Sequence, residues 1–249
     1  MDLHQAEVSN DRKQLVVKSN TLIQKTRYQL TLQEQKILLY VISKVKPTDN
    51  EFQYYSFEIR DFCDACGISY SGKNFSDLKD AILELYNKGF WFRENGEVIT
   101  CSWIGKAKIK DGSSTVQIRL DETLKPYLLH IYENYTSYEV SCALVMKSKY
   151  SIRMYELLKS YCYVETVSMS IEELREMLQC YEYADYRNFR RNVIEKAIDE
   201  INQFTDIRIT YETYREGRSI KGFIFTIRRK SSAEEVAVRV RREAALDAK

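Results

Sequence analysis

Apolar and polar positions alternate along this chain with two periods, and the switches between them mark the elements. Val16–Val17 is a short apolar run that reads as a strand. Leu38, Val41, Ile42 and Val45 recur at helical spacing and predict a helix from Leu30 to Val45. Thr31 with Glu34 three positions on forms its capping box, and Pro47 ends it. Phe52 to Phe57 reads as a strand, and Glu58 to Cys66 as a short helix closed by Gly67. After a turn at Ser69 to Gly72, Leu78, Ala81, Ile82 and Leu85 line one face of a helix from Asn74 to Lys88, closed by Gly89. Two hairpins are expected next. Phe90–Arg93 and Val98–Ile104 flank Glu94-Asn95-Gly96, and Ala107–Lys110 and Thr115–Leu120 flank Asp111-Gly112-Ser113.

The order then starts again. Ser148 to Tyr163 reads as a helix and Thr166 to Met169 as a strand. Ser170 and Glu173 form a capping box for a helix to about Cys180, and Asp185 caps a longer one to about Phe204. Ile207–Tyr214 and Gly222–Arg229 are strands joined through Arg215-Glu216-Gly217-Arg218, and Ser232 to Ala248 is a charged, Ala-rich helix. Leu78-x-x-Ala81-Ile82-x-x-Leu85 superposes on Ile194-x-x-Ala197-Ile198-x-x-Ile201 at a constant offset of 116, with Phe90 and Phe92 falling near Ile207 and Ile209. Helix–turn–helix followed by a hairpin is the winged-helix arrangement. The expected fold is therefore α+β, with two tandem winged-helix domains related by an internal pseudo-repeat. Residues 15–140 form the first, 141–230 the second, and 231–249 a charged terminal helix or tail.

At this point the chain resembles the plasmid replication initiators that bind iterons, the Rep initiator family with two winged-helix domains. The resemblance runs from about Val16 to Arg229. It rests on Val17-Lys18-Ser19-Asn20-x-Leu22-Ile23 and Tyr28-x-Leu30-Thr31-Leu32-x-Glu34-Gln35-Lys36-Ile37-Leu38 in the first half. In the second half it rests on Ser148-Lys149-Tyr150-x-Ile152-Arg153-x-Tyr155-Glu156-Leu157-Leu158 and on Phe189-Arg190-Arg191-x-Val193-Ile194-x-x-Ala197-Ile198-x-Glu200-Ile201-Asn202, with Phe223-x-Phe225-x-Ile227 closing the motif set. The resemblance implies a cytoplasmic, non-enzymatic protein that binds repeated double-stranded origin DNA. It also implies a homodimer joined through the N-terminal domain that represses its own gene, and contacts with host replication proteins.

Charge narrows where DNA could be met. Residues 1–140 carry 18 basic and 19 acidic side chains, and residues 141–249 carry 20 and 17, so the halves are −1 and +3. A nucleic-acid surface must then be a local patch. Arg187-Asn188-Phe189-Arg190-Arg191 opens the long second-half helix without an acidic residue. A recognition helix reads bases with its N-terminal residues, Arg against guanine and Asn against adenine. Phe189 and Val193 are expected to pack inward. The first-half counterpart is less basic. Lys73 and Lys79 are expected on phosphates, with Asn74 and Ser76 as base readers. Wing contacts are assigned to Arg215, Arg218 and Lys221. Lys106, Lys108 and Lys110 alternate along one strand face and read as lysines guarding a solvent-exposed sheet edge. Arg228-Arg229-Lys230 is a further cluster, and Arg239, Arg241 and Arg242, interleaved with Glu234, Glu235 and Glu243, read as a solvated helix face.

Other chemistries lack parts. Gly67-Ile68-Ser69-Tyr70-Ser71-Gly72-Lys73 fits a phosphate-binding loop, but Asn74 stands where Mg²⁺ needs Ser or Thr, so a turn is the better reading. Cys63-Asp64-Ala65-Cys66 has no second pair for zinc and reads as helix core. His4 and His130 make no His-x-His pair, which disfavours a metal-dependent, rolling-circle nicking initiator. No cofactor or metal is expected. No run of about 18 apolar residues predicts a membrane span, and Met1 to Asn20 lacks an apolar leader core. The six cysteines are read as reduced thiols. A winged-helix transcriptional regulator remains the alternative, because it would use the same binding physics.

Overall fold

A computed structural model describes residues 3–248 except 47, 95 and 111. The expected roles of Pro47, Asn95 and Asp111, and the packing of the Phe92 side chain, lie outside the described residues. The chain opens with α1 (Leu3–Lys13), β1 (Leu15–Ser19) and α2 (Asn20–Lys25). The first unit follows as α3 (Leu32–Ile42), β2 (Tyr55–Glu58), α4 (Ile59–Ala65), α5 (Gly72–Asn87), β3 (Gly89–Glu94), β4 (Glu97–Ser102), β5 (Ile104–Ile109) and β6 (Thr115–Leu120). α6 (Lys125–Leu128), β7 (Tyr135–Glu139) and α7 (Ser141–Leu144) connect to the second unit. That unit contains α8 (Lys149–Ser160), β8 (Thr166–Ser170), α9 (Ile171–Leu178), α10 (Tyr186–Phe189), a π-helical segment Arg190–Glu195, α11 (Lys196–Phe204), β9 (Ile207–Glu216) and β10 (Ser219–Arg229). α12 (Ser232–Asp247) closes the chain.

Both expected capping boxes form. Thr31 accepts from the Glu34 amide at 3.2 Å while Glu34 accepts from the Thr31 amide at 2.8 Å, and Ser170 and Glu173 do the same for α9. Each satisfies two of the donors that a helix start leaves unpaired. The sheets confirm the duplication and correct its alignment. The first unit's sheet runs β2-β6-β5 and the second's β8-β10-β9, the same order by rank in the chain. Among the described strands β3 and β4 pair only with each other, so this hairpin is an insertion. Phe90 is therefore not the counterpart of Ile207. β5, not β3, is the topological partner of β9, and the first wing is the β5–β6 turn.

The aromatic cores sit between each helix set and its sheet. Tyr40 packs edge-on against Phe57 at 5.3 Å and Phe62 at 5.4 Å. Phe223 meets Phe225 at 5.8 Å and Tyr211 at 5.5 Å. Two fully buried tyrosine hydroxyls find carboxylates: Tyr138 donates to Glu156 at 2.7 Å and Tyr155 to Asp206 at 2.8 Å. This use of Tyr, large in area with one polar tip, accounts for part of the 19 tyrosines.

The halves are joined through α8. Lys18 on β1 reaches Glu156 at 2.8 Å with both side chains 1 % exposed. Arg153 donates to the Ile23 and Thr26 carbonyls and lies over the Tyr28 ring at 4.4 Å. β1 pairs antiparallel with β7, which brings Lys18 opposite Thr136. The terminal helix is also docked, contrary to the solvated helix face expected there. Val238, Arg242 and Leu246 are buried, Arg239 and Arg242 pair with Glu139, and Arg12 pairs with Glu243 and Asp247. Its charges satisfy one another across elements far apart in sequence, which a local reading cannot show.

Candidate nucleic-acid interface

The second-unit helix begins where Asp185 accepts from the Asn188 amide at 3.0 Å. Phe189, Val193 and Ile194 are buried, as their spacing predicts. Phe189 and Ile194 are five apart, and the π-helical turn from Arg190 brings both inward. Arg187, Asn188, Arg190 and Arg191 are exposed on this first stretch. Their environments differ. Arg190 lies 2.9 Å from Glu195 and donates to the Tyr211 hydroxyl on β9 at 3.3 Å. Arg191 leans to Asn188 Oδ1 at 3.5 Å, and Arg187 has no partner among the described residues. Arg187, Asn188 and Arg191 thus present their donors outward, while Arg190 also ties the helix to the sheet.

The wing closes on a two-residue turn at Gly217 and Arg218, with Gly217 at φ +60°, a conformation that glycine adopts without strain. Arg215, Arg218 and Lys221 are exposed around it, and Lys221 lies 3.7 Å from Glu216. Arg228 pairs with Glu234 at 2.9 Å. Lys230 is buried and donates to the Asn202 and Thr205 carbonyls at 2.7 and 2.6 Å, closing the end of α11. Burial pushes its ammonium down to about 8. Within the Arg228–Lys230 cluster, Arg228 therefore holds the start of α12 and Lys230 the end of α11, while Arg229 stays exposed.

In the first unit, Ser71 caps α5 and Asn74 spends its side-chain amide on the Ser69 carbonyl. Lys73 is 83 % exposed and pairs with Asp77 at 2.9 Å. Ser76 and Lys79 are exposed. Lys79 shares one groove with Lys106 and Lys108 of β5, with Lys110 just after it and with the β5–β6 turn. The sequence kept helix and strand lysines apart; the fold brings them together. Gly67 has φ +65° and closes α4, with no room for a Cβ because the Leu246 carbonyl would lie 2.5 Å away. This glycine serves a turn and a helix contact. Cys63 and Cys66 are buried, and burial pushes the Cys66 thiol up to about 12. Among the described residues no helix is long and apolar enough to cross a membrane.

Two winged-helix units in one chain, one opening its third helix with exposed arginines, define a tandem winged-helix protein of the nucleic-acid-binding class. The chain matches the family "Initiator Replication protein, WH1" over residues 15–159 and "Initiator Rep protein, WH2" over residues 170–227. It belongs to this family of replication initiators. It is 24 % identical over 232 residues to an Escherichia coli replication initiation protein, covering 86 % of this chain and 69 % of that one. It is 28 % identical over 164 residues to the Escherichia coli PI protein, covering 58 % and 54 %. A crystal structure of Pi initiator protein in complex with iteron DNA superposes with a TM-score of 0.74 at 19 % identity, over 89 % of this chain and 99 % of that one, and so shares its fold.

Proposed function

We propose that this initiator binds repeated origin sites through both units, 15–140 and 141–230, and acts without catalysing a reaction. Family membership carries the reading, together with the exposed Arg187, Asn188 and Arg191 at the start of the second-unit helix. These side chains read bases, while Arg215, Arg218 and Lys221 hold the backbone from the wing. Lys73, Asn74, Ser76 and Lys79 supply weaker, mainly phosphate, contacts from the first unit. Self-association through the first unit, repression of the chain's own gene and contacts with host replication proteins belong to the same proposal. The site lies inside the cell with the origin. Gel-shift titration on the direct repeats flanking its gene tests the reading. Arg191→Ala should weaken binding by about 1–3 kcal/mol and relax base preference at one position. Binding only to an inverted repeat would instead favour a regulator without an initiation role.

A further inference from the structure

The two units also differ where the third helix faces the outer sheet strand. In the second unit this space is closed: Tyr211 on β9 donates to Glu195 at 3.3 Å and accepts from Arg190 at 3.3 Å. In the first unit it is a groove of about 1110 Å³ between α5 and β5. The strand registers identify the missing parts. Glu58 and Ser170 each end the first strand and stand at the residue before the following helix, and they face Thr115 and Gly222. Ile118 thereby corresponds to Phe225, and their partners across the outer ladder are Ala107 and Tyr211. Along the helix, the offset of 116 sets Lys79 against Glu195. The first unit thus has alanine in place of the aromatic ring and a cation in place of the carboxylate.

The groove is also suited to a strand. β5 pairs only with β6, so its outer edge is unpaired among the described strands, and residues 105–110 are all at least partly exposed. Phe75, Ile82, Leu83 and Tyr86 form an apolar wall, with Leu83 58 % and Tyr86 52 % exposed. Lys79, Lys106, Lys108 and Lys110 are its charged lining, with no carboxylate among the described lining residues. Two such edges facing each other would set lysine rows together, which disfavours self-pairing here. Phosphates would satisfy the lysines but leave Leu83 and Tyr86 uncovered.

We infer that this groove docks an extended segment of a partner protein, added as a strand to the β5 edge, with an aromatic anchor over Ala107 and flanking carboxylates on Lys106 and Lys108. Backbone pairing to the edge would give affinity and the alternate side chains specificity. Six residues of β5 span about 20 Å, room for a peptide of about twelve residues with flanks.

The test pans a phage-displayed library of peptides about twelve residues long on the full chain, then measures a selected synthetic peptide by fluorescence anisotropy. Expected winners alternate acidic and large apolar residues with an aromatic at the centre. Ala107→Tyr rebuilds the filled arrangement of the second unit and should weaken the peptide at least about tenfold while leaving origin-DNA affinity unchanged. Leu83→Glu, on an exposed helix face, should also weaken the peptide, by charge, and serves as the peptide-binding test if the tyrosine variant misfolds. Circular dichroism checks both folds. Failure to select a peptide, basic or charge-indifferent winners, or undiminished binding by folded variants would overturn the proposal. Loss of DNA binding in Ala107→Tyr, with peptide and DNA competing, would overturn it too by making the groove a DNA surface.

Discussion

Lys18 and Glu156 meet out of water, and Tyr138 adds a hydroxyl to the same carboxylate. Removing Lys18 leaves the buried Glu156 carboxylate, among the described residues, only the Tyr138 hydroxyl and, at 3.9 Å, Arg153. Lys18→Met should therefore cost about 3–5 kcal/mol in urea unfolding, whereas removing an exposed pair such as Lys73–Asp77 should cost under about 1 kcal/mol. Equal losses would mean that the α8 junction does not hold the halves. The arginines of the second-unit helix divide in a similar way. Arg191→Ala should affect DNA alone. Arg190→Ala should also loosen the helix from β9, because Glu195 and Tyr211 lose their cation; amide exchange on the β9 ladder would report this. The basic stretch was legible as a run without acids. The partners of Arg190 were not, since Glu195 and Tyr211 reach it only through folding.

Elements with strong local signals were read closely. Capping boxes, apolar helix faces and turn glycines are short-range devices, and α3, α5, α9 and both hairpins follow them. α1, β7 and the docking of α12 were not legible, because their order comes from distant contacts. Val16 pairs with Tyr138, and Arg12 with Glu243. The offset of 116 fails beyond the helix for a related reason: an inserted hairpin has the same local pattern as a wing, and only sheet order separates them. Gly67 offers a test of the α12 contact. Gly67→Ala combines φ +65° with a clash against the Leu246 carbonyl, so it should cost at least about 1 kcal/mol and speed amide exchange in α12. Unchanged exchange would remove that contact from the account. The same helix senses acid. Arg228 and Ser231 hold the Glu234 carboxyl below the usual carboxylate range. Its contribution is full above that range and is lost as pH falls and the carboxyl protonates. Glu234→Gln should flatten the acid arm of a stability–pH curve.

The whole molecule is two similar winged-helix units locked by shared parts. Dividing the chain at residue 140 would leave Lys18 without Glu156, so the units are better compared by point variants than by truncation. Their charges have diverged: Arg187, Arg190 and Arg191 have only Lys73 and Lys79 as first-unit counterparts. An asymmetric reader suits direct repeats, whereas a symmetric dimer needs a palindrome. Phosphate contacts release counterions, so affinity should fall by about 0.9 log units per contact for each tenfold rise in salt, and Lys73→Ala should lower that slope more than it changes sequence preference. The claim that both units engage one site is tested most directly by hydroxyl-radical footprinting of the full chain on tandem direct repeats. Each chain should protect two tracts on one DNA face about 10 base pairs apart, about 20 base pairs in all, with the stronger base preference in the tract that Arg191→Ala weakens. One tract per chain, or a mirror-symmetric footprint spanning two chains, would contradict it.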